Sequence, residues 1–139
     1  MPYLFDTDAI SEVLKRRPAA VYVEWLAGVA RDEQFTSAVT MGELYRGAFR
    51  SSDPPRHLDN IDRRVARAVT VLPYDMAVAR VFGDLHARLA SQGRPLADAD
   101  VQIAATALYH GLELVTGNIR HFARVPGLAI SRALADARG

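Results

Sequence analysis

The sequence contains no cysteine, which removes disulfides, thiolate metal sites and cysteine nucleophiles together. It contains one lysine, Lys15, so 16 of its 17 basic residues are arginine. Any mechanism that needs a lysine late in the chain is therefore disfavoured. A formal net charge of +1 excludes a strongly basic nucleic-acid clamp. No apolar run approaches the roughly 20 residues that span a bilayer. The opening Met1-Pro2-Tyr3-Leu4-Phe5-Asp6 reaches an acid before a signal-peptide core can form. A cytoplasmic protein without membrane contact is the expectation. What remains is ordinary for a globular chain: 139 residues, 50% hydrophobic and 24% charged, or a single domain over residues 1–139. Arginine favours phosphate and carboxylate forks, although a G- and C-rich genome would bias codons the same way.

Short apolar runs alternate with longer periodic stretches, the signature of α/β architecture. Strands are expected at Tyr3–Phe5, Gln34–Val39, Val69–Leu72 and Leu112–Thr116, with a weak edge strand at Gly127–Ile130. Helices are expected at Asp8–Arg16, Ala19–Ala30, Thr40–Arg50, Leu58–Ala68, Asp75–Ala90 and Asp98–His110. The second presents Val23, Leu26 and Ala27 at helical spacing, with Trp25 against a neighbour. The fifth repeats Val78, Ala79, Phe82, Leu85 and Leu89 on one face. Gly111 suits a left-handed cap, and the residues from Arg132 onward are expected to fray. Strands separated by helices imply right-handed crossovers, a mostly parallel sheet and helices on both faces. In such sheets sites form at the carboxyl ends of the strands.

Acids collect at that edge. Asp6 ends the first strand half desolvated, which is costly without a cation or donors. Asp8 suits the N-cap of the following helix, which leaves Asp6 over. Glu43 follows the second strand, where Thr40-x-x-Glu43 reads as a capping box. Asp98 and Asp100 open a helix and point about 160° apart; Asp98 is the better N-cap, so Asp100 faces the strand ends. Asn118 caps a short Ile119–Ala123 helix or lends its carbonyl to a water. Like charges this close cannot all ionise cheaply, and Mg²⁺ or Mn²⁺ relieves them through oxygen ligands. Arg46, Arg50, Arg94 and Arg120 could form a basic rim, so the set points to water attacking a phosphodiester. His57, His86, His110 and His121 are scattered and read as surface or packing residues.

The same residues carry a family resemblance. Leu4-Phe5-Asp6-Thr7-Asp8 with Ser11, Gly42-Glu43-Leu44-Tyr45-Arg46-Gly47-Ala48, Asp100-Val101-Gln102-Ile103-Ala104-Ala105 and Leu114-Val115-Thr116-Gly117-Asn118 with Phe122 occur in order across the chain. The sequence thereby resembles PIN-domain ribonucleases of the VapC type, the toxin half of VapBC toxin–antitoxin pairs. The resemblance implies a PIN-like three-layer α/β/α sandwich around a mostly parallel sheet. It also implies a Mg²⁺- or Mn²⁺-dependent endoribonuclease. Carried over by position, Asp6 and Asp100 are the principal metal ligands, Glu43 completes the cluster, and Asp98 is a further candidate. Asn118 stands where many similar chains carry aspartate, and His121 where an acid is common. The implied partners are an RNA substrate, a VapB-like antitoxin whose tail crosses the cleft, a second copy in a homodimer, and a toxin–antitoxin hetero-oligomer.

Two other readings compete. Asp6-x-Asp8 after a strand also resembles haloacid-dehalogenase-type phosphatases, and the length suits a phosphoacceptor receiver domain. Both need a late lysine, and Lys15 is misplaced. The other is a catalytically silent PIN-like module that binds RNA or protein, for which Asn118 is the supporting feature. Retention of Asp6, Glu43 and Asp100 argues against it, because an idle cluster is an unrelieved electrostatic cost.

Overall fold

The computed structural model describes residues 2–139. Five short strands form one parallel sheet: β1 (Tyr3–Phe5), β2 (Gln34–Ser37), β3 (Thr70–Leu72), β4 (Glu113–Val115) and β5 (Ile130–Ser131). Their spatial order is β3-β2-β1-β4-β5, so the first strand lies at the centre. Leu4 pairs with Phe35 on one side and Leu114 on the other. The expected strands are all present: β1 has its expected bounds, β2 is cut short by the helix that follows, β3 starts one residue later, and β4 is one residue shorter at each end. The weak fifth strand falls at Ile130–Ser131, just beyond the expected Gly127–Ile130 segment.

The strand pleat divides the interior in two. Leu4 and Leu114 face a core built with Leu85, Leu89, Val101, Ile103, Ala104 and Phe122. Phe5 and Val115 face the other, with Ala9, Ile10, Tyr22, Met41, Leu44, Val65 and Leu134. Because a strand's side chains alternate, three residues of β1 suffice to seed both layers. The first core is covered by α5 (Met76–Ser91), α6 (Asp98–His110) and the short α7 (Ile119–Phe122). The second is covered by α1 (Thr7–Leu14), α2 (Ala20–Ala27), α3 (Ala38–Phe49), α4 (Pro54–Ile61) and α8 (Ala133–Ala137). This is the three-layer α/β/α sandwich. Among the described residues, no helix is long and apolar enough to cross a membrane.

Several local expectations are corrected. In α2 the buried residue is Tyr22, whereas Val23 is 40% exposed. The inward face runs through Tyr22, Trp25 and Leu26: the Tyr22 and Trp25 rings stack at 5.9 Å, and Trp25 meets the Tyr3 ring edge-on at 5.2 Å. The helix expected from Leu58 starts four residues earlier, at Pro54. Asp53 caps α4, and Pro54 and Pro55 sit in its first turn, where no backbone N–H is required. A π-helical turn, Asp62–Ala66, continues α4 toward β3. Gly111 caps α6 at φ 65°, as the sequence suggests. The end of the chain does not fray: α8 buries Leu134 completely and Arg138 is hydrogen-bonded to α1.

Candidate functional site

Every strand of a parallel sheet points its carboxyl end the same way, so residues following β1 and β4 meet along one edge. Asp6 is the residue immediately after β1. Its backbone N–H donates to Val115 of β4, and its carboxylate accepts from Ala9 N at 2.8 Å. Asp6 is therefore the N-cap of α1, and Asp8, expected in that role, lies in the first turn instead. The helix begins one residue earlier than its composition suggests, so the cap moves to the acid at the strand end.

Asp6 is only 5% exposed. Burial pushes its carboxyl up to about 7, against the opposing hydrogen bonds from Thr116 and Ala9; Asp8 and Asp100 push in the same direction as burial. Thr116 is itself fully buried and accepts from Asn118 N at 2.9 Å. Its hydroxyl thus ties the turn after β4 to the acid after β1.

Glu43 is not part of a capping box. Ser37 caps α3, accepting from Thr40 N at 3.0 Å, which sets the start of the helix two residues before Thr40 and carries Glu43 into the second turn. There its carboxylate accepts from the Thr7 hydroxyl across the cleft. Asp100, in the first turn of α6, is raised above the usual carboxylate range by burial first and by the charge of Glu43 second, with His121 opposing.

Asp6, Asp8, Glu43, Asp100 and Asn118 line one cleft of about 520 Å³ with Thr7, Ser11 and Gly117. A larger groove of about 1010 Å³ runs between the end of α1, α3 and α4 and is lined by Lys15, Arg16, Arg56 and Arg64. The acids singled out from the strand ends line the smaller one. The carboxylates share that cleft without being drawn together. Among the described residues, no three acidic or imidazole groups are already gathered around one point.

Other candidates lie elsewhere. Asp98 is neither the N-cap of α6, a position taken by Ala97 without a side-chain bond, nor a lining residue of the cleft. Its side chain is 76% exposed and faces His86 at 3.2 Å. Arg46, Arg50, Arg94 and Arg120 are exposed and none lines the cleft. Asn118 precedes α7 as its N-cap residue without a side-chain capping bond; its amide instead meets His121 at 2.7 Å. His121, read from sequence as a surface residue, lies 3.9 Å from Asp100. Its spacing from Asn118 on one short turn was the available signal. Sequence reasoning also passed over Glu12, buried in α1 and held by Lys15, Arg138 and the Ala19 N–H.

The PIN domain profile matches residues 3–128. The chain is 38% identical over 128 residues to the "tRNA(fMet)-specific endonuclease VapC" of Shigella flexneri, covering 92% of this chain and 95% of the relative. It is 35% identical over 128 residues, with the same coverage of both chains, to "Ribonuclease VapC2" of Haemophilus influenzae. Its fold superposes on a chain of DNA-bound VapBC from Salmonella typhimurium with a TM-score of 0.86 at 31% identity, covering 94% of this chain and 97% of that one.

Proposed function

Since the chain belongs to the PIN-domain family, we propose that it is a Mg²⁺- or Mn²⁺-dependent endoribonuclease acting as the toxin of a toxin–antitoxin pair. One observation carries this reading: Asp6, Glu43, Asp100 and Asn118, far apart in sequence, line a single cleft. The donors are all oxygen, and one carboxylate is nearly dry, a set that fits a hard divalent cation. Asp6 and Asp100 would hold the ion, with Glu43 beside them. When bound, such an ion supplies positive charge to the phosphate oxygens and makes water easier to ionise.

The chain's own groups do the rest. Thr116 and the Ala9 N–H orient Asp6, and Thr7 orients Glu43, so neither carboxylate needs to reorganise when charge arrives. Asn118 at the cleft mouth offers an amide to a water, and His121 holds that amide in place. Hydrolysis adds the water's hydroxide to phosphorus and its proton to the departing ribose oxygen. The exposed Arg46, Arg50, Arg94 and Arg120 are proposed to contact RNA phosphates outside the cleft. A VapB-like antitoxin is the proposed partner, supported by the VapBC assembly among the structural relatives; homodimerisation and a cytoplasmic location are proposed with it.

The test is cleavage of a structured RNA pool by antitoxin-free protein with Mn²⁺ or Mg²⁺. Cleavage should stop with EDTA and fall by about 100-fold or more in Asp6→Asn and Asp100→Asn, while Asp98→Asn keeps the parent rate. Cleavage that survives in both site variants overturns the assignment. The silent-module alternative rests on Asn118, which brings no charge to the cleft; it predicts no Mn²⁺-dependent rise in melting temperature, whereas a metal-binding cluster predicts one.

A further inference from the structure

Arg138 lies just beyond α8, yet its guanidinium is built into α1. It donates to both oxygens of Asp8, at 2.9 and 3.0 Å, and to Glu12 Oε1 from Nη2 at 2.6 Å and Nε at 3.2 Å. Gly117, in the turn that carries Asn118, lies directly beneath. A Cβ at that position would run into Arg138 Nη1 and Asp8 Oδ2, so glycine lets the pair sit where it does and a larger residue would have to push those side-chain ends aside. Asp8 and Gly117 both line the cleft that holds Asp6, Glu43 and Asp100.

Pairing Glu12 alone does not account for this arrangement. Glu12 already has Lys15 and the Ala19 N–H, whereas Asp8 has the two-pronged fork, the arrangement that fixes a carboxylate's plane as well as its charge. Among the described residues, Asp8 is also the one cleft-lining carboxylate that an arginine holds in this way.

We propose that Arg138 is a positioning residue for the metal cluster: by pinning Asp8 against Gly117, it keeps a fourth carboxylate from becoming a ligand and seats the turn bearing Asn118. This rests on the metal-binding reading above. With Arg138 in place, Asp8 stays turned away from the acids that would hold an ion, which would leave room beside it for water and a phosphate oxygen. Once the fork is removed, Asp8 is free to turn toward Asp6 and fill that room.

The experiment is a Mn²⁺ titration of the full chain, followed by calorimetry and by water-proton relaxation, which reports how many waters the bound ion retains. Arg138→Gln should bind Mn²⁺ about threefold or more tightly and lower the relaxation enhancement of the bound ion, since a carboxylate replaces water. Adding Asp8→Asn to that variant should restore both values to within about twofold of the parent. A purely structural Arg138 would lower the melting temperature and leave affinity and relaxation unchanged, and that result overturns the proposal. Should Arg138→Gln fold poorly, Arg138→Lys keeps the charge but cannot fork; a relaxation enhancement equal to the parent's then overturns the proposal. No Mn²⁺ binding by the parent chain overturns the metal reading and this inference with it, while normal parent binding beside an unaltered Arg138→Gln removes this inference alone.

Discussion

A carboxyl group at the end of a buried strand can be neutralised by a proton or by a cation, and Asp6 is set between the two. With its carboxyl pushed up to about 7 from an ordinary 3.8, the metal-free fold retains a proton there that the unfolded chain releases near pH 4. Folding then binds more protons than unfolding across that window, so metal-free stability falls as pH rises from about 4 to 7. Melting in EDTA should show this decline, and Asp6→Asn should flatten it. Mn²⁺ binding must displace the same proton, so apparent affinity should climb with pH up to about 7, with proton release visible when calorimetry is repeated in buffers of different ionisation heat. Glu12 has the opposite sign. Hydrogen bonds from Arg138, then Lys15, hold its carboxyl down at about 2; its stabilisation is full above the ordinary 4.5 and is lost as pH falls toward 2. A flat EDTA profile for the parent protein would refute the account given for Asp6.

Among the elements, α3 shows how a small shift in a helix start changes a residue's role. Ser37 is 1% exposed and provides the only side-chain cap that α3 has among the described residues. Ser37→Ala should cost about 1 kcal/mol, read as a lower urea midpoint with an unchanged slope. A loss of similar size in Thr40→Ala and none in Ser37→Ala would return the cap to Thr40. Sequence favoured Thr40 because Thr-x-x-Glu is a sound local pattern. Nothing local shows that Ser37 ends its strand early enough to cap first, or that Thr7 sits opposite to receive Glu43. The strand at Tyr3–Phe5, the strand expected at Leu112–Thr116 and the helix from Asp98 to His110 were legible, since each rests on its own apolar pattern, and Gly117 and Gly111 follow the last two. So was the gathering of Asp6, Glu43 and Asp100, which follows from parallel strand direction. The parts that could not be read are tertiary. The inward turn of Tyr22 goes with its stacking on Trp25, and the docking of α8 rests on a buried leucine and on the following Arg138, whose partners lie over a hundred residues away.

At the scale of the whole molecule, the last helix closes the second core. Leu134 is fully buried among Phe5, Ala9, Tyr22 and their neighbours, so Leu134→Ala should destabilise by about 2–5 kcal/mol, measured by urea denaturation. A change under about 0.5 kcal/mol, the usual range for a surface site, would mean the segment is loosely attached after all.

The position of β1 at the middle of the sheet has a consequence in time. The first strand to be synthesised finds one neighbour in β2 but waits for β4, whose residues 113–115 come more than a hundred positions later. The cleft draws on residues 6, 43, 100 and 118, so a ribosome that has made the first hundred residues carries a chain with three of the five strands and an unfinished cleft. Contacts of such long sequence separation form slowly. The interval between synthesis and a finished cleft is therefore one in which the newborn chain is harmless to the RNA of the ribosome making it, and in which an inhibitor translated alongside has time to arrive.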